Sequence, residues 1–283
     1  MISLGLAQWS TPQWRGQLFS NDDEGRRTLH QYSSVFHCVE GNTTFYALPK
    51  PETVSKWAEE AGKGFEFCFK LPRDVTHTGT LDPHHEELKI FFERLAPLEP
   101  YFGPFMLQLP ANMGADSLYE LETFLDCLPH QYSYSLEVRH PVFFEKGEAE
   151  RQLNRMLAAR EINRTCMDTR ALFSVPPSNE AIIDAQKKKP HLPVHAVATA
   201  DRPMIRFIGC MEVETNTEYW QPWLEKISQW LQEGRRPIVF IHTPDNLEAP
   251  LQAKAFYEQL QQHCSLPDLP PFPGENNLQE DLF

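Results

Sequence analysis

Short apolar runs recur along the chain, and each is followed by a turn and then a helical pattern. The runs cover residues 2–8, 35–40, 66–71, 104–109, 133–138, 163–168, 204–209 and 237–242. Between the strand-end positions 8, 40, 70, 108, 137, 168, 206 and 242 the spacings are 29 to 38 residues. This period leaves room for a crossover helix after every strand, which makes neighbouring strands parallel. Eight such units predict a single closed (β/α)8 barrel of the TIM type, with an open doubly wound sheet as the alternative.

The composition is that of a globular chain rather than a disordered one. Hydrophobic residues make up 41% of the chain and aromatic residues 12%, which is ample material for a core. No G-x-G-x-x-G motif follows the first run, which disfavours the Rossmann alternative. The net charge of −13 argues against a protein that coats nucleic acid by charge alone, although a small basic site remains compatible with it.

The same sequence predicts a cytoplasmic protein without a membrane partner. The first residues lack the positive and apolar regions of a signal peptide, and no stretch approaches the roughly 18 apolar residues of a membrane span. The six cysteines are scattered without a C-x-x-C pair, a pattern that fits buried thiols in a reducing compartment.

Strand alternation predicts which side chains point into the barrel. If the last residue of each strand faces the mouth, the residue two positions earlier points into the barrel as well. The predicted interior residues are Leu6, Cys38, Cys68, Met106, Ser135, Cys166 and Phe240. One layer further down, Glu66 and Arg164 are expected to pair near the floor of the barrel.

Barrel active sites lie at the C-terminal ends of the strands, and here that ring is dense in polar and charged residues. The ring comprises Gln8, Glu40, Asn42, Lys70, Gln108, Glu137, Arg139, Asp168, Arg206 and His242. Each of these residues could instead form a salt bridge that closes the barrel. For the ring as a whole this is less favourable, because burying many charges is expensive.

The predicted catalytic residues are Glu40, Lys70, Glu137, Asp168 and His242. Their carboxylate and imidazole groups could bind a divalent metal ion that activates water, although nearby cations would repel the metal unless they face a bound anion. Without a metal, Glu40 and Glu137 could form an acid–base pair. Lys70 could act as a Schiff-base nucleophile, although neighbouring carboxylates oppose the necessary fall in its pKa.

The remaining polar and aromatic groups predict binding of an anionic substrate. Arg139 and Arg206 suit a phosphate or carboxylate. The predicted substrate-binding residues are Gln8, Trp9, Asn42, Tyr46, His77, Gln108, Arg139, His140 and Arg206. Aromatic faces can stack sugars or bases, or can simply pack as loops over the barrel. The lysines at 187–189 form either a solvated helix end or a further phosphate contact.

Several motifs together resemble the YecE-like family, the domain of unknown function seventy-two. They are QWS at 8–10, WRG at 14–16, VEGNTTFY at 39–46, FKLP at 69–72, TH at 76–77, LQLP at 107–110 and EVRHP at 137–141. The resemblance runs to about residue 257 and implies a barrel fold, but no established reaction. Many members have Arg-x-His-Gly after the seventh strand, whereas this chain has Ile208 in place of the histidine. After the eighth strand it has His242-Thr243-Pro244-Asp245 instead of an Asn-rich turn.

The chain changes character after residue 264. Residues 1–264 are predicted to form the barrel, and the proline-rich residues 265–283 to form a flexible arm. The last five residues, QEDLF, resemble the peptide by which bacterial replication and repair proteins bind the DNA sliding clamp. In this interpretation Gln279, Leu282 and Phe283 make the contacts, and Glu280 departs from the more frequent leucine. The alternative is that the tail folds back onto the barrel.

Three functions are compatible with these features. The first is an enzyme, such as a phosphodiesterase-like hydrolase, acting on a phosphate-bearing substrate such as a nucleotide or DNA end and recruited through the tail. The second is a metal-independent glycosidase, isomerase or lyase. The third is a ligand-binding barrel without chemistry.

Overall fold

Eight parallel strands form the predicted barrel in a computed structural model that describes residues 1–21 and 27–275. The strands are β1 (Ser3–Leu6), β2 (Cys38–Gly41), β3 (Glu66–Phe69), β4 (Phe105–Gln108), β5 (Tyr134–Glu137), β6 (Asn163–Asp168), β7 (Met204–Ile208) and β8 (Ile238–His242). Their order is β3-β2-β1-β8-β7-β6-β5-β4. The barrel closes between β3 and β4, where Leu71 N–H donates to the Met106 carbonyl over 3.0 Å.

Helices cover the outside of the barrel between successive strands. They are α1 (Thr28–Ser33), α2 (Thr43–Tyr46), α3 (Pro51–Glu60), α4 (Arg73–Thr76), α5 (Glu86–Leu95), α6 (Leu118–Cys127), α7 (Glu148–Ala159), α8 (Arg170–Ser174), α9 (Glu180–Lys188), α10 (Val213–Gln232) and α11 (Ala249–Gln261). Local signals set their ends: Pro51 begins α3, and the Asn179 side chain accepts from Ile182 N–H to cap α9. None of the helices in the described ranges is long and apolar enough to cross a bilayer.

The barrel interior holds a small apolar cluster that is separate from the larger core under the helices. Its members are Cys38, Cys68, Met106, Met204, Ile238 and Phe240. Ser135 also lies inside and bonds Thr165 over 2.6 Å. The predictions for Leu6 and Cys166 were wrong, because both pack in the outer core. The errors have one cause: a shift of one residue in a strand turns the side chain to the other face.

The predicted pair between Glu66 and Arg164 does not form. Arg202 reaches Glu66 instead, with 2.7 Å between Nη1 and Oε1. Arg164 points outward and lies 2.9 Å from Glu150 Oε1. Both carboxylates therefore serve to anchor loops and helices around the barrel.

Residues 265–275 lie against the barrel, so the described part of the expected arm is packed. Phe272 is fully buried and packs 6.1 Å from the ring of Phe36. Glu275 accepts from Lys254 of α11 over 2.8 Å, and Gly274 N–H points at the Leu18 carbonyl. A side chain at 274 would stand 2.3 Å from a backbone oxygen, so this close approach requires glycine. Gln279, Leu282 and Phe283 lie outside the described residues.

Candidate functional site

One layer of polar side chains lies directly above the apolar interior. On five strands, the residue two positions beyond an interior residue is polar, and it points the same way because side chains alternate. These residues are Glu40, Lys70, Gln108, Arg206 and His242, and Glu137 stands in the same relation to Ser135. All six are at most 8% exposed. They lie at the C-terminal strand ends, where barrel enzymes carry their active sites.

Arg206 occupies the centre of this layer, between two carboxylates. Its Nε and Nη2 each lie 2.7 Å from an oxygen of Glu40, and its Nη1 donates to Glu137. Such bidentate, charge-assisted contacts are the strong form of the hydrogen bond. Arg206 is 1% exposed and lies beneath the cavity described below.

Four further residues extend the network across the barrel. Lys70 Nζ lies 3.1 Å from Glu40 Oε1 and 3.1 Å from Gln108 Oε1. His242 Nε2 lies 3.0 Å from the other oxygen of Glu40. Arg139 places Nε and Nη2 each 2.8 Å from Glu137 Oε1. The sequence therefore predicted a set of residues that the structure joins in one continuous network.

Both carboxylates of the network are ionised at neutral pH. Burial alone would raise the pKa of Glu40, but Arg206, Lys70 and His242 outweigh it and hold that pKa well below 4.5. In the same way, Arg206 and Arg139 overcome burial and lower the pKa of Glu137 to about 2. Neither group can supply a proton to a substrate near pH 7.

These carboxylates do not fit a divalent metal ion either. Each of their four oxygens already accepts an N–H donor. Metal sites for hard cations need free carboxylate oxygens. Within residues 1–21 and 27–275, no group of three or more His, Cys, Asp or Glu side chains could hold a metal.

A cavity of about 800 Å³ opens above the network. This volume falls in the range of small-molecule sites. Its lining comprises Ala7, Gln8, Trp9, Ser10, Glu40, Asn42, Thr43, Phe45, Tyr46, Trp57, Lys70, Arg73, His77, Gln108, Arg139, Lys188, Lys189, His242 and Asn246. Most of the predicted site residues therefore surround one space.

Cations dominate the charge on this lining. Among the described lining residues, Lys70, Arg73, Arg139, Lys188 and Lys189 face one carboxylate, that of Glu40, and Lys188 also pairs with Asp184 over 2.7 Å. Burial, with repulsion from Arg206, lowers the pKa of Lys189 to about 7 and that of Lys70 to about 8. Burial is the larger cause in both cases, and a nearby negative charge would raise both pKa values again.

One side of the cavity is aromatic. Trp9 meets Trp57 edge to face, with 5.0 Å between ring centroids. Phe45 meets Tyr46 in the same way at 5.1 Å, and it also packs edge to face against His77. Tyr46 is 78% exposed at the rim, so its ring can contact a ligand.

Four of the predicted site residues do not line the cavity: Glu137 and Arg206 lie beneath it in the network, and Asp168 and His140 lie outside both. Asp168 is fully buried on the outer face of β6, where it accepts from Arg170 Nη2 over 2.7 Å and from Trp223 Nε1 over 2.8 Å. Met167, one residue earlier, has the inward parity on this strand. His140 accepts from Val142 N–H through Nδ1 and starts a helical turn outside the cavity.

Sequence reasoning did not commit Arg73, Lys188 or Lys189 to the site. Lys188 and Lys189 belong to the long segment after β6, which brings the end of α9 to the barrel mouth. The triple lysine was the available signal, because adjacent cations suggested a phosphate contact. The spacing alone gives no indication that the helix ends above the barrel.

Comparisons with known proteins agree with this fold. The profile described as "Protein of unknown function DUF72" matches residues 3–276. UPF0759 protein YecE of Escherichia coli K12 is 44% identical over 281 residues, covering 98% of this chain and 100% of that protein. UPF0759 protein YunF of Bacillus subtilis is 25% identical over 180 residues, with 59% and 60% coverage.

Solved structures share the architecture at lower identity. A DUF72 family protein (EF0366) of Enterococcus faecalis gives a TM-score of 0.68 at 19% identity, covering 94% of this chain and 98% of that chain. A DUF72 family protein (TM1631) of Thermotoga maritima gives 0.67 at 19% identity, covering 92% and 99%. With the profile match over nearly its whole length, the chain belongs to the DUF72 family.

Proposed function

We propose that the protein is an enzyme that binds a phosphate-bearing small molecule in the cavity at the barrel mouth. The observation that carries the proposal is the surplus of lining cations over lining carboxylate. The whole chain has a net charge of −13, so the positive charge is concentrated at this site rather than general. A phosphate group supplies the negative charge and the acceptor oxygens that such a lining can bind.

The size of the cavity supports a small ligand over a nucleic-acid duplex. About 800 Å³ holds a molecule of nucleotide size. A protein that binds long polyanions neutralises many phosphates with an extended basic surface, which an acidic chain of this kind does not favour. A nucleotide or a single strand end is therefore the largest nucleic-acid substrate that we propose.

A glycosidase that uses Glu40 and Glu137 is the weaker candidate. Both classes of glycosidase require one carboxylic acid that keeps its proton near neutral pH. Here arginine and lysine contacts lower the pKa of both groups. The two glutamates instead hold Arg206, Lys70 and Arg139 in place beneath the ligand.

Calorimetric titration with inorganic phosphate and pyrophosphate tests the anion site. Lys189→Met removes a lining cation and should weaken binding by about tenfold or more, the equivalent of one charge-assisted hydrogen bond. Lys187→Met is the matched control, because this exposed neighbour does not line the cavity and should leave affinity unchanged. Absence of binding by the wild type, or equal affinity in both variants, would overturn the proposal.

We also propose that residues 279–283 bind the bacterial sliding clamp. The sequence observation is the QEDLF peptide, and the structural one is that Glu275, just before it, lies against the barrel and pairs with Lys254. The eight residues that follow can span at most about 28 Å. Leu282 and Phe283 suit an apolar cleft, and Gln279 a hydrogen bond beside it. Tethering would raise the local concentration of the barrel at DNA.

Surface plasmon resonance of the full chain on the clamp of the same organism tests this docking. We expect micromolar binding that a peptide of residues 274–283 competes away. Phe283→Ala should abolish the signal, whereas Asn276→Ala, which lies before the peptide motif, should retain it. If the intact wild type does not bind, the clamp proposal is wrong and the anion site is unaffected.

A further inference from the structure

Most basic groups in the cavity are already engaged as hydrogen-bond partners. The oxygens of Glu40 and Glu137 all accept from cationic or imidazole N–H groups. Lys70 donates to Glu40 and Gln108. His242 is 3% exposed, and its Nε2 faces Glu40. The carboxylate oxygens and the lysine are thus engaged, and the imidazole of His242 is nearly inaccessible to a ligand.

His77 differs from them. It follows α4 at the end of β3, it is half-buried, and its ring lines the cavity. Its Nδ1 lies 2.8 Å from the hydroxyl of Thr76. Across residues 1–21 and 27–275 no hydrogen-bond partner is found for its Nε2. Phe45 packs edge to face against the ring at 5.1 Å and limits its rotation.

The neighbouring threonine favours one position of the ring proton. Thr76 Oγ1 has a single hydrogen and lies 3.4 Å from the Pro72 carbonyl in the turn of α4. Both contacts form at once only when this hydrogen points at Pro72 and the oxygen accepts from His77 Nδ1–H, whereas the opposite tautomer keeps the 2.8 Å contact and gives up the longer one. The Nδ1–H form places the lone pair of the neutral imidazole on Nε2, where it can meet a ligand.

The surrounding charges keep this imidazole neutral. Burial lowers the pKa of His77, and the nearby Arg139, Arg73 and Lys70 lower it further, while Glu137 opposes them. A histidine that stays neutral at pH 7 is ready to accept a proton. The same cations would stabilise the negative charge that the donor of that proton acquires.

We propose that His77 Nε2 is the general base of this site and takes a proton from a hydroxyl group or water next to the bound phosphate. The step breaks the O–H bond and forms an Nε2–H bond. The electron pair stays on the oxygen, which bonds to phosphorus beside Arg139 as the bond from phosphorus to the leaving oxygen breaks. The imidazolium later returns the proton to the leaving oxygen or to solvent. This inference rests on the proposed anion site, because it places the base against a phosphate-bearing ligand.

Nuclear magnetic resonance of the ¹⁵N-labelled full chain tests the inference without a known substrate. Long-range ¹H–¹⁵N correlations should show His77 as the Nδ1–H tautomer, assigned by loss of its signals in His77→Gln. His140 is an internal control with the opposite expectation, because its Nδ1 accepts from Val142 N–H and its proton lies on Nε2. Thr76→Val removes the acceptor and should let the ring proton distribute between Nδ1 and Nε2, whereas Thr76→Ser should keep the proton on Nδ1.

Titration with inorganic phosphate distinguishes the two proposals. Bound phosphate within about 4–6 Å of Nε2 should raise the pKa of His77 by about 1. Phosphate that binds without changing this pKa would overturn the role of His77 and leave the anion site standing. An Nε2–H tautomer would overturn it as well. Absence of any phosphate binding, with the Nδ1–H tautomer retained, would instead refute the anion site and remove the ligand on which the base acts.

Discussion

Replacement of Arg206 by methionine is the sharpest test of how the barrel mouth is built. The guanidinium is 1% exposed and makes three charge-assisted contacts, two with Glu40 and one with Glu137. Methionine keeps much of the volume but leaves two ionised carboxylates beneath the cavity. Lys70 and Arg139 remain as partial counterions.

Two independent arguments give the size of the effect. Removal of one partner from a buried ion pair costs about 3–5 kcal/mol, because an uncompensated charge stays behind. The pKa of Glu137 falls from 4.5 to about 2, and the cations beside it are the cause. At about 1.4 kcal/mol per pKa unit this corresponds to about 3 kcal/mol. We therefore expect Arg206→Met to lower the free energy of unfolding by about 3–5 kcal/mol.

Urea denaturation of both proteins measures the difference. Arg155→Met is the matched control, because Arg155 also pairs with a glutamate but is 69% exposed, and it should cost below about 1 kcal/mol. The low pKa of Glu137 stabilises the fold above about pH 4.5, and this contribution is lost as pH falls toward 2. The variant should therefore unfold at a higher pH than the wild type during acid titration. A loss below about 1 kcal/mol for Arg206→Met would refute this account of the network.

Three further outcomes follow from the structure. Sulfate keeps its charge above pH 6, whereas Lys189 (pKa about 7) and Lys70 (pKa about 8) lose their protons between pH 6 and 9. The affinity for sulfate, measured by calorimetry, should therefore fall over this range. An affinity that does not change with pH would contradict this. Asp168→Asn should lower stability by about 1–3 kcal/mol in urea yet leave sulfate affinity unchanged, because this carboxylate lies outside the cavity; weakened binding would count against that placement. Phe272→Ala should cost about 3–5 kcal/mol, whereas the exposed Tyr119→Ala should cost below about 0.5 kcal/mol; similar melting temperatures for the two variants would show that the packed segment adds little.

The eightfold period was sufficient to predict the barrel, because each unit repeats the same strand and helix pattern. The periodicity predicts the ends of strands less precisely, and an error of one residue assigns each side chain to the wrong face of the strand. On β2, β3, β4, β5, β7 and β8 the residue chosen as the strand end does point into the mouth, although three of these strands end one or two residues away from it, and the polar layer followed from this orientation. On β6 the residue chosen as the strand end points outward instead of inward, so Asp168 and Cys166 were assigned to the wrong face of the strand.

The sequence did not predict where the residues of the long loops lie in the fold. Lys188 and Lys189 reach the cavity through the course of a segment of about 35 residues after β6, and no local pattern encodes that course. The composition of residues 265–283 indicated an extended arm. Composition alone cannot predict that Phe272 packs against Phe36 in an apolar site on the barrel. Hydrophobic contacts between distant residues decided both cases.

The segment that ends at Glu275 ties the order of synthesis to the completion of the fold. It packs on Phe36 and Leu18, near the opposite end of the chain, and β8 pairs with β1. A ribosome must therefore translate the chain through β8 before the first strand gains its second neighbour, and through residue 272 before the apolar site beside Phe36 is filled. Until then the nascent barrel exposes an open strand edge and an apolar surface, features that favour aggregation. Contacts between residues so far apart in sequence also slow folding, because the long loop between them must close first.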